Sequence, residues 1–350
     1  MSLLEMLLLA ACGIALGYLM VLRTGLRAVA GSRPAPDRGA PLPISVIIAA
    51  KNEEDALPIL REALSRQSYP AFEVLLVDDG SEDATRERAI QWAVVDPRVR
   101  VLQNVHTPGK KGALLTGMAA ARFPSLLLTD ADAEPHPDWV AEMARYLALH
   151  PRTVVTGFPK AAPGAGGVAR YELLQTQLLT SGSCGVGRPF MAYGISLGFS
   201  AEVFREAGGY VGLEHLPGGD DDLLLQRMAR LPGVTGRCAV ASEAQVTTRM
   251  PATLWAWIAQ KRRHYADGRA YPRDILAHLA LFHGTALFLW MGVFTGGWGL
   301  AALLVRLAAL MWVMREAGKT FGERWLWVIS PLLDFMLTLF LLAIAPISAL

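Results

Sequence analysis

The chain has 350 residues, enough for a full α/β domain with length left over for several membrane segments. Hydrophobic residues make up 53% and mean hydropathy is +0.32, too apolar for an ordinary soluble enzyme and too polar for a chain that is all membrane. A formal net charge of only +2 excludes a global pull towards nucleic acid, and Cys12, Cys184 and Cys238, widely spaced and without CxxC or Cys/His spacing, exclude a disulfide framework or zinc site and fit a reducing compartment.

Residues 3–22 are apolar with one charge, Glu5, and long enough to span a bilayer. Ala28-Val29-Ala30 resembles a signal-peptide cleavage site, but Arg23, Arg27 and Arg33 follow the apolar stretch instead of preceding it, which favours an anchor with the N-terminus outside. The anchor is expected over 1–24 and a linker over 25–43, Pro-, Gly- and Arg-rich from residue 31. From residue 44 strands and helices alternate: strands over 44–50, 72–77, 99–103 and 125–129, helices over 54–66, 84–94 and 112–121. This spacing predicts βαβ units and an α/β domain with a mainly parallel sheet over 44–240. An amphipathic interface segment is expected over 241–274, where Pro251 opens and Gly268 closes a helix carrying Trp255 and Trp257. The C-terminal part, 275–350, holds candidate spans at 275–294, 297–314 and 325–346, with basic connections that belong on the cytoplasmic side. Arg306 and Asp334 fall inside spans, each about 12–14 Å from the cytoplasmic end, and are expected to pair. His278 and His283 suggest only helix packing.

Ligands of parallel sheets sit beyond the carboxyl ends of the strands. Asn52 and Glu53, the pair Asp78-Asp79, and Asp130 with Asp132 all fall at such ends, so one site is expected to gather them. A third acidic station, Asp220-Asp221-Asp222, follows Gly218-Gly219, and a basic cluster runs from Gln260 to His264. Carboxylates at strand ends can hold a nucleotide, a divalent cation and an acceptor proton, and basic side chains can hold a diphosphate. Each station also has a plain structural reading: solvated turns for the Asp130–Asp132 triplet and for Gly109-Lys110-Lys111-Gly112, a helix cap for the Asp220 run, and a basic juxtamembrane helix for residues 260–264.

The runs SVIIAAKNEE (45–54), LLVDDGS (75–81) and LTDAD (128–132), in this order, resemble the family 2 inverting glycosyltransferases of the GT-A fold, over roughly residues 44–265. The resemblance implies that Ala50, Asn52, Glu53, Asp78 and Asp79 hold the nucleobase and ribose, with Gly80 allowing close backbone approach. Asp130 and Asp132 would be its DXD motif, with Asp132 and Asp130 binding Mg²⁺ or Mn²⁺ on the donor diphosphate. Lys111 would belong to its basic loop near the donor, and Gly194 to Phe199, with Ser196 where relatives carry Asn, to the stretch lining donor sugar and acceptor. Asp220 and Asp221 match its Glu-Asp station, which makes Asp221 the general base, or Asp220 if the register slips. Gln260 and Arg263 match its Gln-x-x-Arg-Trp motif, Arg263 assisting the diphosphate, with His264 in place of the Trp; positions 260, 263 and 264 share a helix face.

The implied protein is a hexosyltransferase of the ceramide-glucosyltransferase-like membrane branch. It would move a sugar from a nucleotide-diphosphate sugar, a UDP-sugar by preference, to a lipid-borne hydroxyl, in a bacterial inner (cytoplasmic) membrane with the catalytic domain cytoplasmic. A processive polysaccharide synthase keeps the Trp and more spans; a noncatalytic nucleotide-sugar-binding subunit would lose one of Asp79, Asp132 and Asp221; a nucleotidyltransferase would release pyrophosphate. An Asp pair after a strand also resembles a response-regulator receiver, but there it would end the first strand, and here residues 44–50 precede it.

Overall fold

The structure, a computed structural model, describes residues 2–35, 39–216, 218–251, 253–266 and 270–344. The chain opens with helix α1 (Leu3–Gly31) and continues through β1 (Ile44–Ala50), α2 (Leu57–Ser65), β2 (Phe72–Asp78), α3 (Thr85–Val95), β3 (Val99–Gln103), α4 (Lys110–Ala120) and β4 (Ser125–Asp130). Then come β5 (Glu134–Pro135), α5 (Trp139–Leu147), β6 (Thr153–Thr156), β7 (Phe158–Ala161), α6 (Gly167–Gly185), β8 (Leu197–Ser200), α7 (Ala201–Glu206), α8 (Asp222–Met228), β9 (Thr235–Cys238) and β10 (Gln245–Thr248). Helices α9 (Leu254–Ala266), α10 (Arg273–Gly292), α11 (Gly297–Phe321) and α12 (Leu326–Ile344) complete it.

Two compact units emerge, and neither is one continuous segment: residues 29–162 with 187–249 form the α/β unit, and residues 1–28, 163–186 and 250–350 form the helical unit. In the α/β unit a seven-stranded sheet has the order β3-β2-β1-β4-β8-β6-β9, its first four strands parallel and β8 antiparallel to both neighbours. The expected α/β class with a mainly parallel sheet is what is found. β1 and β2 are apolar runs buried along nearly their whole length, as strands covered on both faces require. On α2, Leu57, Leu60, Ala63 and Leu64 form the buried stripe, and Pro58 sits at the helix start where no backbone donor is needed. Gly117 lets α4 lie close on β1, since a Cβ there would come within 2.5 Å of the Ile47 side chain. A smaller sheet, β5-β10-β7, completes the unit.

The expected 25–43 linker is shorter in fact. Residues 25–31 continue α1, and Arg33 is fixed by a two-pronged bond to Glu142 (2.8 and 2.9 Å) and a third to Glu243 (2.9 Å). The expected 44–240 domain is interrupted, because residues 163–186 group with the apolar helices. Helix α6, for which the sequence offered no pattern, buries Gln175, Gln177, Thr180, Ser181 and Ser183. Hydroxyls of Thr180, Ser181 and Ser183 return to carbonyls one turn back in the same helix, which removes the penalty for burying them. Gly25 of α1 and Gly182 and Gly185 of α6 cross with backbones in contact; a Cβ on Gly25 would meet the Gly182 carbonyl oxygen at 1.9 Å.

Among the described residues three helices are long and apolar enough to cross a membrane: α1, residues 273–295 including α10, and α11; Leu326–Phe340 of α12 is a shorter apolar stretch. Arg306 of α11 and Asp334 of α12, both 3% exposed, form a two-pronged pair at 2.8 and 3.0 Å, and the Trp290 indole N–H also donates to Asp334 at 2.9 Å. His278 meets the Tyr18 hydroxyl between α10 and α1.

Candidate active site

The register explains how distant residues meet. Ala50 pairs with Asp78 across β1–β2, and Ala49 with Asp130 across β1–β4, so the carboxyl ends of three adjacent strands are level. Strand order reverses its sense at β1, whose neighbours β2 and β4 lie on opposite sides, the position at which such sheets hold ligands in a crevice beyond the strand ends.

The end of β1 turns through Asn52, which takes a left-handed conformation (φ 55°) that Asn tolerates better than most residues. Its backbone N–H donates to the Ser81 hydroxyl (3.1 Å) and its side-chain carbonyl accepts from the Glu82 N–H (2.9 Å), tying the β1 loop to the β2 loop. The Glu53 N–H donates to the Thr85 hydroxyl at 2.7 Å. The Ala50 carbonyl, itself nearly inaccessible, accepts the Asp79 N–H at 2.9 Å and so sets where the Asp pair leaves the sheet. Asp78 accepts from the Ser81 N–H at 3.2 Å, while Asp79, 9% exposed, accepts from the Asn104 amide at 2.6 Å and the Gly109 N–H at 2.8 Å. Asn104 follows β3 directly and also takes hydrogen bonds from the Thr116 hydroxyl and the His106 N–H. The sequence reading missed it, although it too sits at a strand's carboxyl end.

The two lysines divide their work differently from the expectation. Lys111, buried at the start of α4, donates to the carbonyls of Leu216 and Gly218 and anchors the segment that leads to the third acidic station. Lys110 is the one that faces carboxylates, bridging Asp130 and Asp220 at 2.8 Å each. Burial works against its charge, but the carboxylates of Asp130, Asp220 and Asp221 outweigh this and hold it well above the ordinary lysine value. The same ammonium overcomes the burial of Asp220 and keeps that carboxyl below its usual range.

Asp221 caps α8, accepting from the Asp222 N–H (2.7 Å) and, with its other oxygen, from the Gly194 N–H (3.0 Å). Burial first and the neighbouring Asp220 second push its carboxyl up to about 6. Asp222 accepts from the Ala192 N–H at 2.7 Å. The cap reading and the base reading therefore fall on one residue. Gly194 borders this group closely: a Cβ there would lie 3.1 Å from the Lys110 ammonium and 3.2 Å from Asp220. Ser196, expected to line the sugar, does not; it is 0% exposed and its hydroxyl accepts from the Trp139 indole N–H at 2.9 Å.

Glu53, Asp130 and Asp132 gather at the β4 side. Burial, followed by the charges of Asp132 and Asp130, pushes Glu53 up to about 6, and burial with Asp130 raises Asp132 as well. Arg249 opposes both shifts. The antiparallel β5–β10 register, in which Val246 faces Pro135 and Thr247 faces Glu134, brings the end of β10 back towards the turn that holds Asp132, and Arg249 follows that end. Only this pairing, which spans over a hundred residues of chain, reveals it. Among the described residues no three acidic, His or Cys side chains converge as a closed metal cage. Mutually repelling hard-oxygen groups at Asp130 and Asp132 nevertheless suit a divalent cation that keeps positions open for a diphosphate. Gln260 and Arg263 lie on α9 of the helical unit, and the Arg263 and His264 side chains lie outside the described residues.

Glycosyl transferase family 2 matches residues 45–197, and Glycosyl transferase family group 2 matches residues 125–345. The chain belongs to Glycosyl transferase family group 2, whose match takes in more than half of it. Among its relatives, the dolichyl-phosphate beta-glucosyltransferase of Drosophila melanogaster is 38% identical over 117 residues, 30% of this chain and 36% of that protein. The undecaprenyl-phosphate 4-deoxy-4-formamido-L-arabinose transferase of Pectobacterium carotovorum is 34% identical over 111 residues, 30% of this chain and 33% of that protein. The matches thus span about a third of these relatives' length. The mannosyltransferase PcManGT from Pyrobaculum calidifontis, solved with GDP-Man and Mn²⁺, shares the fold, with a TM-score of 0.61 at 20% identity over 95% of this chain and 99% of that one. The chain thus combines a GT-A-like α/β unit with apolar helices.

Proposed function

We propose that this glycosyltransferase transfers a hexose from a UDP-sugar to a lipid-borne hydroxyl with inversion, as a member of the ceramide-glucosyltransferase-like branch. The observation that carries the reading is Lys110, whose ammonium joins the Asp130 station to the Asp220–Asp221 station. A donor held beyond β1, β2 and β4 would meet Asn52, Glu53, Asp78 and Asp79 with its nucleoside, and Asp130 and Asp132 near its diphosphate. Asp132 and Asp130 would hold Mg²⁺ or Mn²⁺, which when bound supplies positive charge to the leaving diphosphate. Asp221, with a carboxyl at about 6, is ionised at neutral pH and basic enough to take a hydroxyl proton. The acceptor oxygen bonds to the anomeric carbon, the carbon–oxygen bond to the diphosphate breaks, and the nucleoside diphosphate leaves with the electron pair. Gln260 and Arg263 are assigned to the diphosphate on the motif alone. The long apolar helices support a multi-pass membrane protein, and the Arg residues after the first apolar stretch support a bacterial inner membrane with the α/β unit cytoplasmic.

A second acceptor class, a lipid phosphate, is favoured by the names of the relatives above. The test uses the purified chain in detergent, UDP- and GDP-sugars, Mg²⁺ or Mn²⁺, and either a lipid alcohol or a polyprenyl phosphate. Nucleoside diphosphate release that needs the lipid alcohol and is lost in Asp221→Asn supports the reading. Release with polyprenyl phosphate alone moves the acceptor to the phosphate class, and donor binding without turnover in either sinks the catalytic assignment.

A further inference from the structure

The helical unit carries a second cluster of charge that the catalytic reading does not use. Several basic side chains of this unit near its apolar helices are neutralised. Arg23 and Arg27 meet Glu316 at 2.7 and 2.6 Å, Arg170 meets Glu323, and Lys261 meets Glu172 at 2.6 Å. Arg315, Lys319 and Arg324 differ: among the described residues none of the three is paired with a carboxylate, yet together with Trp327 they line one cavity of about 420 Å³.

The chain builds this convergence deliberately. Arg315 and Lys319 stand one turn apart on the same face of α11. Gly322 ends the helix in a left-handed conformation (φ 85°), turning the chain back. Gly318 then allows the returning backbone to press against α11, since a Cβ there would lie 2.5 Å from the Glu323 carbonyl oxygen and 3.7 Å from the Arg324 Cα. Arg324 is thereby brought beside Lys319, and Trp327, in the first turn of α12, supplies the remaining wall, with the Arg315 guanidinium 5.7 Å above its ring. Like charges held this close without a counter-ion repel one another, so the arrangement favours an anion. The cavity lies within the usual volume of small-ligand sites, about 300–1,000 Å³. It opens at the end of α11, a helix long and apolar enough to cross a membrane, beside a Trp of the kind that settles at headgroup depth.

We propose that Arg315, Lys319, Arg324 and Trp327 form a binding site for the headgroup phosphate of an anionic phospholipid. Phosphate oxygens would accept from the three cations, the glycerol and acyl parts would run along α11 and α12, and the site would act independently of the sugar-transfer chemistry.

The experiment titrates the full chain in detergent with short-chain phosphatidylglycerol, phosphatidylcholine or inorganic phosphate, following thermal stabilisation and native mass. The triple variant R315Q/K319Q/R324Q is compared with R61Q/R86Q/R88Q, which removes the same charge from exposed positions of the α/β unit. Phosphatidylglycerol is expected to bind the parent and the control alike, with Kd raised about a hundredfold in the pocket variant, from a loss of roughly fivefold for each of its three basic residues. Should the triple variant fail to fold, R324Q alone, in the turn, is expected to show the roughly fivefold loss. Equal binding to both triple variants, equal binding of phosphatidylcholine, or full stabilisation by inorganic phosphate alone overturns the proposal.

Discussion

Replacing Asp221 by Asn separates stability from catalysis in a way the structure makes quantitative. In the folded chain this carboxyl is pushed from 3.8 to about 6 by burial and by Asp220, a difference of roughly 3 kcal/mol against its ionised form. The sign is that of a raised acid: the penalty is absent below pH 4, grows as pH rises, and is complete above pH 6. Asn carries no such penalty, but it offers one acceptor oxygen where Asp221 now accepts from both the Gly194 and Asp222 N–H groups, a loss of about 1 kcal/mol. The variant should therefore be more stable than the parent by about 1–2 kcal/mol at pH 8. That corresponds to an apparent Tm about 2–6 °C higher in detergent. At pH 4 the advantage should vanish or reverse. Activity should fall about 10²–10⁴-fold, the usual contribution of a general base. Thermal melts at the two pH values, with lipid-dependent nucleoside diphosphate release measured beside them, provide the check. An Asn variant that melts below the parent at pH 8, or is displaced equally at both pH values, refutes the electrostatic account of this site.

Arg249→Gln should raise the donor KM about tenfold with little change in kcat, because the side chain near Asp132 would contact bound diphosphate and not the reacting hydroxyl; steady-state kinetics with varied donor decide it. Gly112→Ala places a Cβ 1.9 Å from the Thr107 carbonyl oxygen, in the loop held by Asn104 and Asp79, and should cost about 2 kcal/mol or more in thermal melts. Arg306→Gln strands the buried Asp334 and should cost about 3–5 kcal/mol, whereas Arg306→Leu with Asp334→Leu should recover most of it; melts of the two variants distinguish a structural pair from a lipid contact.

The parallel half of the sheet was legible because its strands are short apolar runs that end in acids, and an acid at the end of a buried strand has few places to go but the crevice. Pairing of Arg306 with Asp334 followed from equal depth along two helices. Other features were set by contacts that no local pattern carries. Lys110 and Lys111 are adjacent and chemically equal; which one faces Asp130 depends on the rotation of α4, fixed by Gly117 against β1. Ser196 reads as a lining residue until Trp139 is seen to take its hydroxyl. The polar stretch of α6 gives no apolar stripe because its hydroxyls are satisfied within the helix. Arg249 needed a strand pairing with residues more than a hundred positions earlier in the chain.

Helix α6 also dictates an order of events during synthesis. The α/β unit is left at residue 162 and resumed at residue 187, and its smaller sheet closes only when β10, at residues 245–248, reaches β5 and β7. A nascent chain that has translated the DXD strand thus holds its acids in place well before Arg249 exists to balance them. The α6 glycines can meet α1, already made, but the rest of α6 must wait until α11 and α12, its other neighbours in the helical unit, have been made. Donor binding should consequently appear only after residue 249 has been made, and a fragment cut at residue 249 would carry α6 without the helices that bury it.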